Sequence, residues 1–286
     1  MQRPRPDFAA RADLPIALVV GAGGMSMAIA QRLGQSHRIM LASLKPDELE
    51  LGQERLHELG VVSMGIVCDI TNPLSVQKLG DAVAGRGPLQ TLAHVAALSP
   101  SLGNWNSVLS VNLIGATRIE ETVQPLMAPG GAAVFISSLA AHGPEPDTNI
   151  LAILDYPLAE DFLPRLEAAI SGPPNPGLAY SLSKLALNRM VRRRALIWGK
   201  RGTRILSLSP GLIDTVMGAI EDTQASSAAK AGMRRKLPLG RDGSMADIAD
   251  AVEFLTSRRA SYISGTDLLV DGGLAAALLH AGEELR

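Results

Sequence analysis

Five consecutive residues, Tyr180-Ser181-Leu182-Ser183-Lys184, place a phenol and an ammonium four positions apart within residues 178–198, a segment of helical periodicity. At that spacing the two side chains share one helix face, a turn apart. A phenol titrates at about 10, so it exchanges protons near neutrality only when a nearby positive charge favours its anion. Lys184 would supply that charge, and the pair then suits general acid–base work on a hydroxyl or carbonyl oxygen. Ser137 and Ser138 close an apolar run at 132–136. A hydroxyl at the C-terminal edge of a strand can hold a substrate oxygen. Asn112 stands between Val111 and Leu113 inside the helical pattern 108–127, either as a packed amide or as a further polar group of the site.

A second group of residues points to an anion. The apolar run 16–20 leads directly into Gly21-Ala22-Gly23-Gly24-Met25-Ser26, which opens a helical pattern. Glycines in such a turn let the backbone approach a pyrophosphate, and the helix N-terminus stabilises its charge. A plain strand-to-helix turn has the same look. After the second strand, where many dinucleotide folds carry a carboxylate for the ribose, this chain has Ala42-Ser43-Leu44-Lys45. A 2′-phosphate is tolerated there, and Ser43 with Lys45 would contact it, which favours NADP over NAD; as simple loop residues they would do neither.

These side chains need a frame. Strand candidates fall at 16–20, 38–42, 61–67, 91–95, 132–136, 204–208 and 267–270, seven in all. Helix candidates lie between them at 25–33, 46–59, 74–83, 108–127, 178–198 and 245–255. The alternation predicts an α/β fold with one parallel sheet. Because nearly every strand is apolar on both faces, helices must cover both sides in a doubly wound order. One stretch breaks the rhythm. Residues 142–177 hold seven prolines around one possible helix at 158–170, which reads as an insertion into a single domain spanning 16–286. Residues 1–15 read as a frayed N-terminal extension.

Composition excludes several classes. Aromatic residues are 3% of the chain and the net charge is −1, so base-stacking platforms and a nucleic-acid partner are not expected. The basic cluster Arg192-Arg193-Arg194 precedes apolar residues and reads as a solvated helix face. The single cysteine, Cys68, cannot form an internal disulfide and reads as a small buried hydrophobe. No membrane span and no metal site is expected, and the reading is of a cytoplasmic protein.

Taken together, the Gly-rich turn, Asn112, Ser138, Tyr180 with Lys184, Pro210-Gly211 followed by Thr215, and the closing Asp271-Gly272-Gly273 resemble the short-chain dehydrogenase/reductase family over residues 16–274. The resemblance implies a Rossmann-type fold and hydride exchange between NAD(P)(H) and a secondary alcohol or ketone. It implies that Tyr180 exchanges the proton, Ser138 orients the substrate oxygen, Lys184 holds the nicotinamide ribose and Asn112 supports a water-linked relay. It further implies that Gly21, Gly23, Gly24 and Met25 cradle the diphosphate, that Asp69 and Ile70 contact the adenine, that Ala96 lines the cofactor, and that Pro210, Gly211, Ile213 and Thr215 hold the carboxamide side. Two motifs depart from the family's form. The Gly-rich turn is one residue short with Ser26 where glycine is common, and His94-Val95-Ala96-Ala97 replaces the usual Asn-Asn-Ala-Gly, losing the amides that brace the sheet edge.

Within the family the chain is similar to bacterial 3α-hydroxysteroid dehydrogenase/carbonyl reductases, in which the insertion favours a dimer. Residues 142–177 are therefore expected to cap the pocket and to contribute to a homodimer or homotetramer interface. Met217, Ile220 and Met233 within 212–235 would face a small apolar steroid-, terpene- or cyclic-ketone-like substrate. Two other readings stand beside this one: an enoyl reductase, whose Tyr and Lys are usually further apart, and a non-catalytic NAD(P)-binding regulator or structural subunit.

Overall fold

The computed structural model describes residues 8–214 and 230–280. Seven parallel strands form its sheet: β1 (Ile16–Val20), β2 (Arg38–Ser43), β3 (Ser63–Val67), β4 (Leu89–His94), β5 (Met127–Ile136), β6 (Arg204–Pro210) and β7 (Asp267–Val270). Their order is β3-β2-β1-β4-β5-β6-β7. The order reverses between β1 and β4, so the crevice beyond their C-terminal ends is where such a sheet binds ligands. The expected doubly wound sheet is present, with helices on both faces.

Each face buries its own aliphatic cluster. Leu18, Val20, Leu92, Phe135 and Ile205 point to one side, and Val19, Leu41, Ala93, Val134 and Leu206 to the other. This is why the central strands lack alternation: both of their faces are interior, whereas the edge strands β3 and β7 are partly exposed. On one side lie α1 (Gly24–Leu33), α2 (Pro46–Glu58) and, later in the chain, the helix Met245–Thr256. On the other lies α3 (Pro73–Ala84), started by Asn72, whose side chain accepts from Leu74 N and Ser75 N.

The single helix expected at 108–127 is not continuous. It consists of α4 (Trp105–Leu109), a π turn over Ser110–Gly115, and α5 (Ala116–Val123), and a short 3₁₀ turn carries the chain into β5 at Met127. Asn104 and Ser107 cap α4 reciprocally. Periodicity does not distinguish a π turn from the α-helix around it, because one extra residue shifts the apolar stripe without ending it. Asn112 lies in this turn.

The insertion holds two helices rather than the one expected at 158–170: α6 (Thr148–Leu154), capped by Asp147, and α7 (Phe162–Ala169). Ile150, Ile153, Leu154, Phe162 and Leu166 bury against Trp105, Val108 and Leu109 of α4 and against Ala179, Leu182 and Ala186 of α8 (Pro176–Gly199). An ion pair locks this third core. Arg189 of α8 forks onto Asp155 at 3.0 and 2.8 Å, while Arg193 donates to the Asp155 carbonyl and stacks on Tyr156 at 4.9 Å. Arg194 reaches Glu120, which is 0% exposed and also accepts from Trp198 Nε1. The cluster 192–194 is thus only partly the solvated face expected, because two of its guanidiniums hold neighbouring elements.

The N-terminal extension is likewise not wholly frayed. From Phe8 it docks on the sheet: buried Arg38 donates to the Phe8 and Leu14 carbonyls and lies 4.8 Å over the Phe8 ring. The chain is completed by α9 (Met245–Thr256) and α10 (Leu274–Leu279). No described helix is long and apolar enough to cross a membrane.

Because Asp155 receives both guanidiniums at a partly buried site, Asp155→Ala is expected to cost about 2 kcal/mol and several degrees of Tm. Asp161→Ala, which breaks an exposed pair with Arg165, should change stability by less than about 0.5 kcal/mol. Thermal denaturation of the two variants checks the contrast.

Candidate active site

The Gly-rich turn leaves β1 at Gly21, whose φ of +119° suits only glycine, and whose amide donates to Ala42 O at 2.7 Å. A Cβ there would lie 2.7 Å from Ser26 Oγ and 3.2 Å from Ala96 N. Ser26 therefore packs beneath the turn, which explains a buried serine at that place. At Gly23, the N-cap of α1, a Cβ would meet nothing within 4 Å, and no side chain caps the helix. An open cradle before uncapped amides at a helix N-terminus fits a diphosphate. Gly24 backs onto Met245 and partly buried Met25 follows.

At the end of β2, Ser43 Oγ donates to Glu48 Oε2 at 3.3 Å and Lys45 Nζ to Glu48 Oε1 at 2.9 Å. Glu48 also raises the pKa of Lys45. Past β3, Asp69 Oδ1 accepts from the Thr71 amide and hydroxyl at 2.8 and 2.7 Å. Ile70 packs its side chain against the π turn, where a Cβ on Gly115 would come within 2.7 Å of it. Asp69 is thus committed to its own turn, and Ile70 offers an adenine mainly its backbone.

Past β4, the amides of Val95 and Ala96 both donate to Val20 O, which ties the loop to β1. Leu98 N donates to Asn112 Oδ1 at 2.6 Å, and Asn112 Nδ2 donates to Leu98 O at 3.0 Å. The amide of Asn112, 1% exposed, braces this loop. Its side chain is consumed in that bracing.

Helix α8, which carries Tyr180 and Lys184, packs against the turn that follows β5, where Ser137 and Ser138 lie. Ser137 Oγ donates to Lys184 O at 3.1 Å, joining strand to helix. Lys184 Nζ donates to Ile136 O at 2.9 Å and lies 5.5 Å from the Tyr180 ring centroid. Ser138, partly buried, caps the turn Leu139–His142, its Oγ accepting from Ala140 N at 3.1 Å. Lys184 is 2% exposed, and this burial pulls its pKa down to about 8. A buried ammonium so poised can pass its proton onward and hold a phenolate.

Pro210 and Gly211 end β6, and a Cβ on Gly211 would sit 2.7 Å from Asp271 Cα. Asp271 in turn binds the amides of Gly273 and Ala275 at 2.9 and 2.6 Å, so the closing motif acts as a brace for Gly211. Ile213 pairs with Gly243. Thr215, Met217 and Ile220 lie outside the described residues, whereas Met233 is partly buried. Among the described residues no group of His, Cys, Asp or Glu could hold a metal.

One buried group was not singled out from the sequence. His94 ends β4 and stacks on Phe135 at 5.3 Å with the rings 21° apart. Burial and then the Lys184 charge push its pKa down to about 3. Its place showed only as a departure from a motif, with no signal of what it faces.

The family model described as "Enoyl-(Acyl carrier protein) reductase" matches residues 20–154 and 166–275. D-threitol dehydrogenase of Mycolicibacterium smegmatis is 32% identical over 280 residues, covering 93% of this chain and 95% of that one. The 3-alpha-hydroxysteroid dehydrogenase/carbonyl reductase of Comamonas testosteroni is 34% identical over 192 residues, 65% of this chain and 73% of that one. Among solved structures, a short-chain type dehydrogenase/reductase from Mycobacterium ulcerans superposes with a TM-score of 0.73 at 25% identity, covering 94% of each chain. An actinorhodin polyketide ketoreductase with NADPH shares the fold at a TM-score of 0.74 and 23% identity, over 92% of this chain and 98% of that one. The chain belongs to the short-chain dehydrogenase/reductase family. It is an NAD(P)-dependent oxidoreductase acting on alcohol or carbonyl groups.

Burying Lys184 costs stability while it is charged. Its folded pKa of about 8 lies below the unfolded 10.5, so the unfolded chain binds more protons between those values and stability rises with pH across that window. Lys184→Met should raise stability at pH 7 by on the order of 1–3 kcal/mol, read as a higher Tm, and should abolish that rise with pH. Differential scanning calorimetry from pH 6 to about 10.5 reads both effects.

Proposed function

We propose that this enzyme interconverts a secondary alcohol and a ketone on a small apolar substrate of steroid, terpene or cyclic-ketone type. The observation that carries the proposal is the buried Lys184 ammonium, fixed by Ile136 O and set against the Tyr180 ring. Bound NAD(P)(H) would supply or accept the hydride at its nicotinamide ring. In reduction, Tyr180 Oη gives its proton to the carbonyl oxygen while Ser138 Oγ donates a hydrogen bond to that oxygen. Lys184 stabilises the resulting phenolate and binds the ribose. In oxidation the same groups return the proton to Tyr180 and onward. A relay from Lys184 to solvent would draw on the backbone of the π turn at Asn112, since its amide is engaged with Leu98.

The cofactor would lie along the C-terminal edge, with its diphosphate at Gly21, Gly23, Gly24 and Met25. The adenine would rest by Asp69 and Ile70, and the nicotinamide end by Ala96, Pro210, Gly211, Ile213 and Thr215. We favour NADP, with Lys45 and Ser43 turning from Glu48 to a 2′-phosphate. The helices of 142–177 extend the wall beside Tyr180, in keeping with a cap, and we read the same segment as part of a homo-oligomer interface in a cytoplasmic enzyme. The i, i+4 spacing of Tyr180 and Lys184 supports carbonyl rather than enoyl chemistry.

Tyr180→Phe should lower kcat about 10²-fold or more while leaving coenzyme Kd within a few-fold of wild type. Nicotinamide absorbance against steroidal, terpenoid and cyclic ketones tests this, and wild-type turnover by the variant would remove Tyr180 from the mechanism. An enoyl thioester turned over in preference to every ketone would shift the reading to enoyl reduction. Glu48→Gln frees Lys45 and should raise kcat/KM for NADPH relative to NADH about tenfold, equivalent to roughly 1.4 kcal/mol. An unchanged ratio would place the 2′-group elsewhere.

A further inference from the structure

β4 ends in a side chain that the chemistry above does not use. His94 is 2% exposed, and its in-register neighbour on β5 is Phe135, the ring it stacks on. With its proton on Nδ1, toward its own backbone, the neutral imidazole leaves its lone pair on Nε2. That Nε2 is buried without a hydrogen-bond partner among the described residues. Leaving a buried acceptor in this state is costly, so it calls for a donor.

The charge that acts on His94 is the Lys184 ammonium. Nζ donates to the carbonyl of Ile136, the residue directly after Phe135, so consecutive residues of β5 hold the ammonium and the imidazole. An ammonium has three N–H donors, of which Ile136 takes one. One turn beyond Lys184 on α8, Asn188 is 3% exposed and its Oδ1 also lacks a donor among the described residues. Of the charged groups on the helices over this face, Arg118 is engaged with the Thr71 carbonyl and Arg194 with Glu120, which also holds Trp198.

We propose that His94 is a positioning residue for Lys184. A buried water that accepts a second ammonium N–H donates to the His94 Nε2 lone pair and to Asn188 Oδ1, and the third N–H is left for the nicotinamide ribose. The imidazole stays neutral above about pH 3, so it contributes a fixed acceptor and no titration of its own near neutrality. A neutral acceptor favours the charged lysine, and its loss lowers the pKa of Lys184 further in the direction in which burial already moves it. This inference rests on the assignment of Tyr180 and Lys184 as the active pair.

His94→Phe keeps the stacking on Phe135 and removes the lone pair, whereas His94→Gln restores an acceptor that does not titrate. The pH profile of kcat/KM, measured with NADPH and a ketone that wild type reduces, should show the alkaline limb of the Phe variant moved to lower pH by half a unit or more. The Gln variant should move back toward wild type, and Asn188→Leu should shift the limb in the same direction as Phe. In the absence of substrate, the rise of Tm with pH, taken relative to Lys184→Met, should begin at lower pH in the Phe and Leu variants. Limbs and Tm profiles coincident with wild type, in a protein whose Tyr180→Phe variant is inactive, would overturn the role of His94 alone. Full turnover by Tyr180→Phe would instead overturn the active pair, and this inference with it.

Discussion

A charged lysine taken out of water is the constraint around which this protein is arranged. The idealised cost of such burial is large and is offset only when fixed dipoles receive the ammonium. Here the Ile136 carbonyl does so at 2.9 Å, at the end of the strand whose next residues are Ser137 and Ser138. Ser137 closes the loop by donating to the carbonyl of Lys184 itself. Strand end, helix turn and ammonium therefore fix one another, and Tyr180, a turn earlier on the same helix, takes its place from them.

The elements around α8 keep that arrangement from relaxing. Asp155 and Glu120, two acids from different segments, receive Arg189, Arg193 and Arg194 along its outer faces. The insertion adds an apolar core of its own over α4 and α8. Such rigid support matters because general acid–base groups work only when held within hydrogen-bond reach of the reacting oxygen. The loop after β4 shows the same economy, with one asparagine amide bridging the backbone of Leu98 in both directions.

Membership of the short-chain dehydrogenase/reductase family accounts for the sheet order, the Gly-rich turn and the Tyr–Lys pair. It does not by itself account for Glu48 between Ser43 and Lys45, the helices of 142–177, or a neutral histidine near Lys184. The relatives named above act under such different names as D-threitol dehydrogenase and 3-alpha-hydroxysteroid dehydrogenase/carbonyl reductase. That spread places substrate choice in loops and insertions, which carry function on a shared scaffold.

Local patterns were enough for everything that depends on near neighbours in the chain. The seven strands, the parallel sheet, the Gly-rich strand-to-helix turn and the one-turn spacing of Tyr180 and Lys184 all follow from period, apolarity and backbone sterics. Tertiary structure decided whatever depends on partners distant in sequence. Asn112 turned out to brace Leu98, Lys45 to be held by Glu48, Arg194 to meet a buried acid, and residues from Phe8 onward to dock through Arg38. It also broke one expected helix with a π turn and gave the insertion two helices instead of one. The physical reason is common to these cases: a side chain's charge and hydrogen-bonding capacity are legible from its type, but which group satisfies them is set by packing between elements that sequence separation does not reveal.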